Sequence, residues 1–321
     1  FTANQQDIAI IGVFDGHGGD QASQFSKKQF LTKFFDQEIT NIEAQLRQTI
    51  RQIDTEVCEI TKSGCTACIL AFDMLNNQII TANVGDSRAI FVHGDQQSLL
   101  VETTDHKPST PGELQRIQQF GTVVEGVMRI NGQLSVSRAI GDVDFKQMGL
   151  IAEADCSTTD IEQFCYGFVG CDGIWDVLES QSANIFIQYM LGITLHVQTT
   201  PQEQVILGAI DKYLELDVDG GDEILYQLKK KSFANKEQCK RPNQFMNKAE
   251  KICCILTRIG YLLGSEDNLT AVMMVNEKFL LQLSKNYQQQ EIVFDDQVLQ
   301  QLHIQNEALR QEIDLMLIDY K

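Results

Sequence analysis

Residues 66–92 read TACILAFDMLNNQIITANVGDSRAIFV, and their organisation decides the fold. Three strand-like runs stand in succession: 66–72 (TACILAF), 79–84 (IITANV) and 88–92 (RAIFV). Asn76-Asn77 between the first two fits a hairpin turn. Gly85-Asp86 separates the second from the third, and His93-Gly94-Asp95 follows. Outward from this core, 8–14 (IAIIGVF) is a continuous apolar run that ends in Asp15-Gly16-His17-Gly18-Gly19, a buried strand followed by a tight loop. Helical spacing marks 20–36 through Ala22, Phe25, Phe30 and Phe34, and a second helix is expected over roughly 40–62. A short helix begins at Pro111, 121–150 is glycine-punctuated and irregular, 164–171 (FCYGFVGC) is another buried strand, 180–192 a helix and 269–275 (LTAVMMV) a last strand. Strands dominate, with helices in pairs between hairpins. That argues against a doubly wound parallel sheet and for an α+β sandwich of antiparallel sheets covered by helices.

The 321 residues carry 43% hydrophobic and 22% charged residues, enough for a sizeable core and incompatible with a disordered or collagen-like chain. Net charge is 26 − 44 = −18. Nucleic-acid binding, which needs basic surface, is excluded as a class. No run approaches the roughly 20 apolar residues of a membrane span. The nine cysteines, mostly inside apolar runs with no signal peptide before them, read as reduced and place the chain in the cytoplasm, with attachment to a cytoskeletal or other large assembly compatible. Cys65 and Cys68 form a lone CxxC without the second spaced pair that a zinc site wants, so they are read as structural.

Four aspartates share one setting. Asp15, Asp86, Asp172 and Asp267 each stand beside an apolar strand at a glycine or asparagine turn. Carboxylates converging from strand ends repel each other unless a proton, a cationic side chain or a metal neutralises them. Hard oxygen ligands of this kind select magnesium or manganese, and two such ions can activate a water and orient a phosphoryl group. Taken singly, each Asp-Gly is simply a good turn.

The words around these aspartates are more specific. Phe14-Asp15-Gly16-His17-Gly18-Gly19, Asn83-Val84-Gly85-Asp86-Ser87-Arg88-Ala89, Asp105-His106-Lys107-Pro108, Asn131 to Asp142 (NGQLSVSRAIGD), Cys171-Asp172-Gly173-Ile174-Trp175-Asp176 and Asp267-Asn268 occur in this order. The series resembles the metal-dependent type 2C protein serine/threonine phosphatases, from about residue 8 to 195 and again at about 260–275. The resemblance implies an α-β-β-α sandwich with a dinuclear Mg²⁺ or Mn²⁺ site at one edge and a weaker third ion. Asp15 would bridge both metals, Gly16 would offer its carbonyl to one, and Asp172 and Asp267 would complete the other. Asp86 would hold the third ion with Asp172 and Asp176. His17 falls where the family places its general acid, and Thr66 matches a residue that bonds near the metal-bound water. Attack by a metal-bound hydroxide would hydrolyse phosphoserine and phosphothreonine esters, with no cysteine or serine nucleophile.

Other residues are read more plainly. His106, in DHKP, is expected to shape the substrate rim, Arg88 and Arg138 to tie loops to carboxylates, and Trp175 to be core beside the metals. The chain opens at Phe1, and no arginine or Glu-Asp pair precedes Asp15, where the family carries a phosphate-binding arginine and an acidic pair. The catalytic domain is expected over 1–280, its first strand missing, with an insertion at about 197–258. A C-terminal helix (about 291–320) is expected in the extension 281–321, striped by Val298, Leu302, Leu309, Ile313 and Leu317. Insertion and helix are the two surfaces at which a protein partner would dock. The substrate is a phosphoprotein. The competing reading is a catalytically inert scaffold on the same fold.

Overall fold

The computed structural model describes residues 2–5, 7–36, 38–93, 99–124, 128–161, 164–193, 198–215 and 248–276. By their contacts the described residues divide into two compact units, one drawn from residues 1–181 and 256–276, the other from residues 182–255.

The first unit is built on two antiparallel sheets. One carries five strands in the order β1 (Thr2–Gln5), β2 (Ile8–Val13), β5 (Ala67–Asp73), β6 (Gln78–Val84) and β12 (Asp155–Asp160). The other carries four, in the order β14 (Ala271–Val275), β13 (Phe164–Gly170), β7 (Arg88–His93) and β8 (Leu99–Glu102). A ribbon of two-residue strands, β11 (Ile140–Gly141), β4 (Gly64–Cys65) and β3 (Gly16–His17), ties three distant loops together. The expected α+β class and antiparallel pairing hold, and the runs at 66–72, 79–84 and 88–92 are strands β5, β6 and β7.

The apolar runs are continuous because the strands of the five-stranded sheet are covered on both faces. Ile8, Ile10, Ile69, Ala71, Ile80 and Ala82 pack under helices α1 (Gln21–Phe34) and α2 (Ile42–Ile60). Their neighbours Ile11, Val13, Cys68, Leu70 and Ile79 point the other way, onto Ala89, Phe91, Phe164 and Val169 of the four-stranded sheet. The helix pair supplies Phe30, Phe34, Leu46, Ile50, Ile53 and Val57, all fully buried. Burial of each such side chain stabilises by about 1.5–3 kcal/mol. Helix α2 starts where the Asn41 side chain accepts the Ala44 N–H at 2.8 Å. The β5–β6 turn is fixed by Asp73, whose Oδ1 accepts the N–H groups of Leu75 and Asn76, while Asn77 takes the left-handed conformation.

Two strands were not expected from the sequence. β1 (TANQ) pairs with β2 from Thr2↔Ile11 to Gln5↔Ile8, and β12 (DCSTTD) closes the opposite edge. Both are polar edge strands with no apolar run to betray them. Helix α3 (Pro111–Ile117) begins at Pro111 as expected, and the glycine-rich stretch after it holds the hairpin β9 (Val123–Val124) and β10 (Arg129–Ile130) and the turn of helix α4 (Val143–Lys146). Short helix α5 (Asp172–Trp175) follows β13.

The second unit contains most of helix α6 (Ser180–Leu191), α7 (Pro201–Glu215) and much of α8 (Lys248–Leu262). At the start of α7, Thr200 Oγ1 accepts the Glu203 N–H and Glu203 Oε2 accepts the Thr200 N–H, a reciprocal cap. Glu203 also accepts the Ser182 hydroxyl at 2.7 Å. The charged middle of the expected insertion (216–247) and the C-terminal helix lie outside the described residues. No helix among the described residues is long and apolar enough to cross a membrane. None of the eight described cysteines forms a disulfide, and burial pushes the Cys65 thiol up to about 12. Among the described residues Cys65 and Cys68 join no metal-ligand cluster.

One buried ionic knot locks the irregular stretch. Glu113 accepts from both ends of Arg116 (2.8 and 2.7 Å), from Arg138 (2.7 Å) and from the Ser137 hydroxyl (2.6 Å). Arg138 thus ties its loop to a carboxylate, as expected. Burial opposes the Glu113 charge, but these four donors outweigh it and hold the carboxyl well below its ordinary 4.5. Glu113→Ala should cost about 3 kcal/mol in urea unfolding, because two guanidinium groups lose their partner. The knot's contribution is complete above pH 4.5 and is lost as pH falls below it, where the unfolded chain takes up a proton that the folded carboxylate refuses. Glu113→Gln should therefore flatten the acid limb of the stability profile; equal acid sensitivity of the two proteins would count against this account.

Candidate active site

Strand ends deliver the acidic residues. Asp15 follows β2, Asp86 fills the β6–β7 turn, Asp172 opens α5 after β13, and Asp267 precedes β14. Carboxylate oxygens of Asp15 and Asp172 and the Cys171 sulfur all lie within 4.8 Å of one another. Asp172 Oδ1 is buried and accepts no hydrogen bond from the protein. Asp86 is 2% exposed. Burial first, then the charges of Asp172, Asp267 and Asp86, push the Asp15 carboxyl up to about 8. Burial and the nearby Asp172 and Asp105 likewise raise Asp86, against the pull of Lys107, to about 6. Asp176 is also raised, by burial and then by Asp172 and Asp105 against Lys107. The cluster cannot hold all its negative charges without a cation.

Each carboxylate is held from behind. The Asp15 N–H donates to Thr66 Oγ1 at 3.1 Å, the Thr66 N–H donates to the Asp15 carbonyl at 2.8 Å, and the Thr66 hydroxyl shares a 2.7 Å bond with Ser87. Thr66 is buried, and its hydroxyl fixes the backbone under Asp15 and the GDSR turn. The Asp267 loop is knitted to Asp172 through Cys171. Its thiol donates to the Asn268 carbonyl (3.0 Å), its sulfur accepts the Thr270 N–H (3.2 Å), and its own N–H donates to the Thr270 carbonyl. Position 173 must be glycine, because any Cβ there would strike the Asn268 carbonyl. Burial pushes the Cys171 thiol up to about 12, and its sulfur is engaged by the backbone of Asn268 and Thr270. The remaining donors are hard oxygens, and the donor set fits Mg²⁺ or Mn²⁺ better than zinc.

Gly16 and His17 form β3 beside the cluster. His17 Nε2 lies 2.5 Å from Asp142 Oδ2. Burial opposes a charge on the ring, but the bond to Asp142 and the fields of Asp142, Asp86 and Asp15 outweigh it and raise the imidazole above 6.5. Asp142 is 4% exposed and is fixed by its neighbours. Its N–H donates to the Ser63 carbonyl, and the preceding Gly141 N–H donates to Asp54 of α2. Across the ribbon, Gly64 leaves room for its carboxylate. The sequence reading assigned Asp142 no role; the bond to His17 spans 125 residues, and only the ribbon of β3, β4 and β11 brings the two together.

The expectation for His106 is corrected. It is 2% exposed and cannot line a rim. Its Nδ1 accepts the Gly85 N–H at 3.2 Å, and its own N–H donates to the Gly85 carbonyl. Burial, then Arg138, pull its pKa down to about 4, leaving the neutral ring that this acceptor role needs. His106 therefore buttresses the turn that carries Asp86. Its neighbour Lys107, also unassigned from sequence, puts its ammonium on Asp86 Oδ2. Arg88 behaves as expected, holding Asp105 through two bonds (3.0 and 2.8 Å) and stacking 5.3 Å from the Trp175 ring centroid. Trp175, 7% exposed, donates to the carbonyls of Gly170 and Arg88.

Comparison with known proteins bears on the family and the fold. The family profile "Protein phosphatase 2C" matches residues 2–203. A Paramecium tetraurelia protein named "Probable protein phosphatase 2C 4" is 32% identical over 250 residues, covering 68% of this chain and 79% of the relative. Against plant and fungal relatives bearing the same family name, the chain spans only 46–63% of their length. Among solved structures, a Caenorhabditis elegans sex-determining protein superposes with a TM-score of 0.61 at 22% identity, over 86% of this chain and 59% of that one. A phosphatase from Toxoplasma gondii gives 0.57 at 19% identity, over 85% of each chain. These two likenesses concern the fold. With a profile covering well over half its length and a relative that it matches along four-fifths, the chain belongs to the protein phosphatase 2C family.

Proposed function

We propose that this chain is a Mg²⁺- or Mn²⁺-dependent phosphatase acting on phosphoserine and phosphothreonine in protein substrates. The observation that carries the reading is the meeting of the Asp15 and Asp172 carboxylates in a partly buried site, with Asp172 Oδ1 buried and unbonded. A buried oxygen with no hydrogen bond calls for a partner, and a hard cation is the partner that suits a carboxylate among carboxylates. Asp15 would bridge two ions, with the Gly16 carbonyl on one and Asp172 and Asp267 on the other. Asp86, Asp172 and Asp176 would hold a weaker third. Bound there, the ions supply charge neutralisation for the phosphoryl group and an activated water.

The chain's own residues do the rest. His17 is the proton donor to the departing serine or threonine oxygen, whose alkoxide is too basic to leave unaided. Asp142 holds the imidazole by Nε2, fixing its orientation and favouring the charged form that can donate. Thr66 and Ser87 keep the Asp15 backbone and the Asp86 turn in register. Docking of a protein partner on the insertion or the C-terminal segment, and residence in the cytoplasm, complete the proposal.

Mn²⁺-dependent phosphate release from a phosphothreonine peptide tests it. Asp172→Asn should fall by roughly 10²-fold or more while its circular dichroism stays native. Chelation should abolish activity reversibly without unfolding. Folded protein that releases no phosphate with either ion would remove the enzyme reading and leave the scaffold.

A general acid matters most for a poor leaving group. His17→Asn and Asp142→Asn should each lose about 10²-fold on phosphothreonine and far less on p-nitrophenyl phosphate, with no further loss in the double variant. Equal losses on both substrates would detach Asp142 from proton transfer.

A further inference from the structure

Lys107 seats an ammonium directly on the acidic cluster. Its ammonium donates to Asp86 Oδ2, and it also feels the charges of Asp176 and Asp172. These three aspartates are the residues assigned above to the third ion. The nearby guanidinium groups are committed elsewhere, Arg88 to Asp105 and Ser180, Arg138 to Glu113 and the Glu153 carbonyl. The pair is asymmetric. Asp86 is sealed, whereas the Lys107 side chain keeps 33% of its exposure, so the lysine has open solvent into which to swing. Its backbone is not free to follow, because the adjacent His106 is pinned to Gly85 on both sides of its peptide and ring.

We propose that the Lys107 ammonium is a built-in counter-cation that occupies the Asp86 oxygen through which a third divalent ion would bind, so that the lysine and that ion compete for one carboxylate. The inference rests on the metal reading above. An ammonium and a metal cannot share the same lone pair, and the flexible four-carbon stem makes the lysine the partner that yields. Lys107 bonds Asp86 and neither Asp15 nor Asp172, so the competition is confined to the third position. Without divalent ions, the same ammonium keeps a buried carboxylate from standing alone, which would cost the fold.

Calorimetric titration of the intact chain with Mn²⁺ alone decides the matter, with Lys107→Met, Asp86→Asn and the double variant beside the parent. Lys107→Met should tighten the weakest Mn²⁺ site by roughly tenfold or more and leave the tight pair within about twofold. The double variant should lose that gain. Melting without metal should be lower for Lys107→Met than for the parent, with a larger rise on adding Mn²⁺. Should Lys107→Met fail to fold, Lys107→Gln carries the same titration, since its amide still satisfies Asp86 without a charge. An unchanged weak site in the lysine variants, or a gain that survives in the double variant, overturns the competition. Absence of any Mn²⁺ binding by folded parent overturns the metal reading itself, and the competition with it.

Discussion

Everything at this site depends on the repulsion among carboxylates brought together where water is scarce. Asp15, Asp86 and Asp172 are pushed toward each other by a sandwich whose core holds without them. Two sheets and a helix pair contribute the stabilising burial, and the strand ends accept the electrostatic cost. The unfavourable field at Asp15 is what fits the cluster to receive a cation, since its charge is not neutralised by the protein alone. Lys107 and His17 are the exceptions, two cationic groups at the margin of the cluster, each answering to a particular carboxylate.

Precision comes from a layer of buried residues behind the acidic cluster. Thr66 grips Asp15, His106 grips the Gly85 turn, Cys171 stitches the Asp267 loop, and Asp142 grips His17. Each of these side chains is buried, and each links segments far apart in the chain. Neutral His106 and the un-ionised Cys171 thiol show how burial assigns such jobs: a group deprived of its charge becomes a reliable acceptor or donor to backbone.

Much of this was readable in the sequence. Runs such as 67–73 and 78–84 announce themselves because both faces of their sheet are covered, so nearly every residue is apolar. The four aspartates stand out because an acidic residue at the end of such a run needs a reason. β1 and β12 escaped notice because edge strands such as TANQ and DCSTTD carry no apolar run. His106 was placed on a rim because a polar DHKP turn looks the same whether it faces solvent or is folded inward. The pairs Lys107–Asp86 and His17–Asp142 were invisible for another reason: 21 and 125 residues separate the partners, and no local pattern encodes which lysine meets which aspartate.

The strand order has a temporal corollary. Asp15 pairs its strand with β5, Asp86 belongs to the turn after β6, and Asp172 and Asp267 lie at the ends of the adjacent strands β13 and β14. The Asp15 and Asp172 carboxylates thus meet across a long stretch of chain, a large loop to close. A chain emerging from the ribosome has its helix pair and first hairpins long before it has a catalytic centre. The acidic cluster can be complete only once the last of its residues, Asp267, has joined the growing chain.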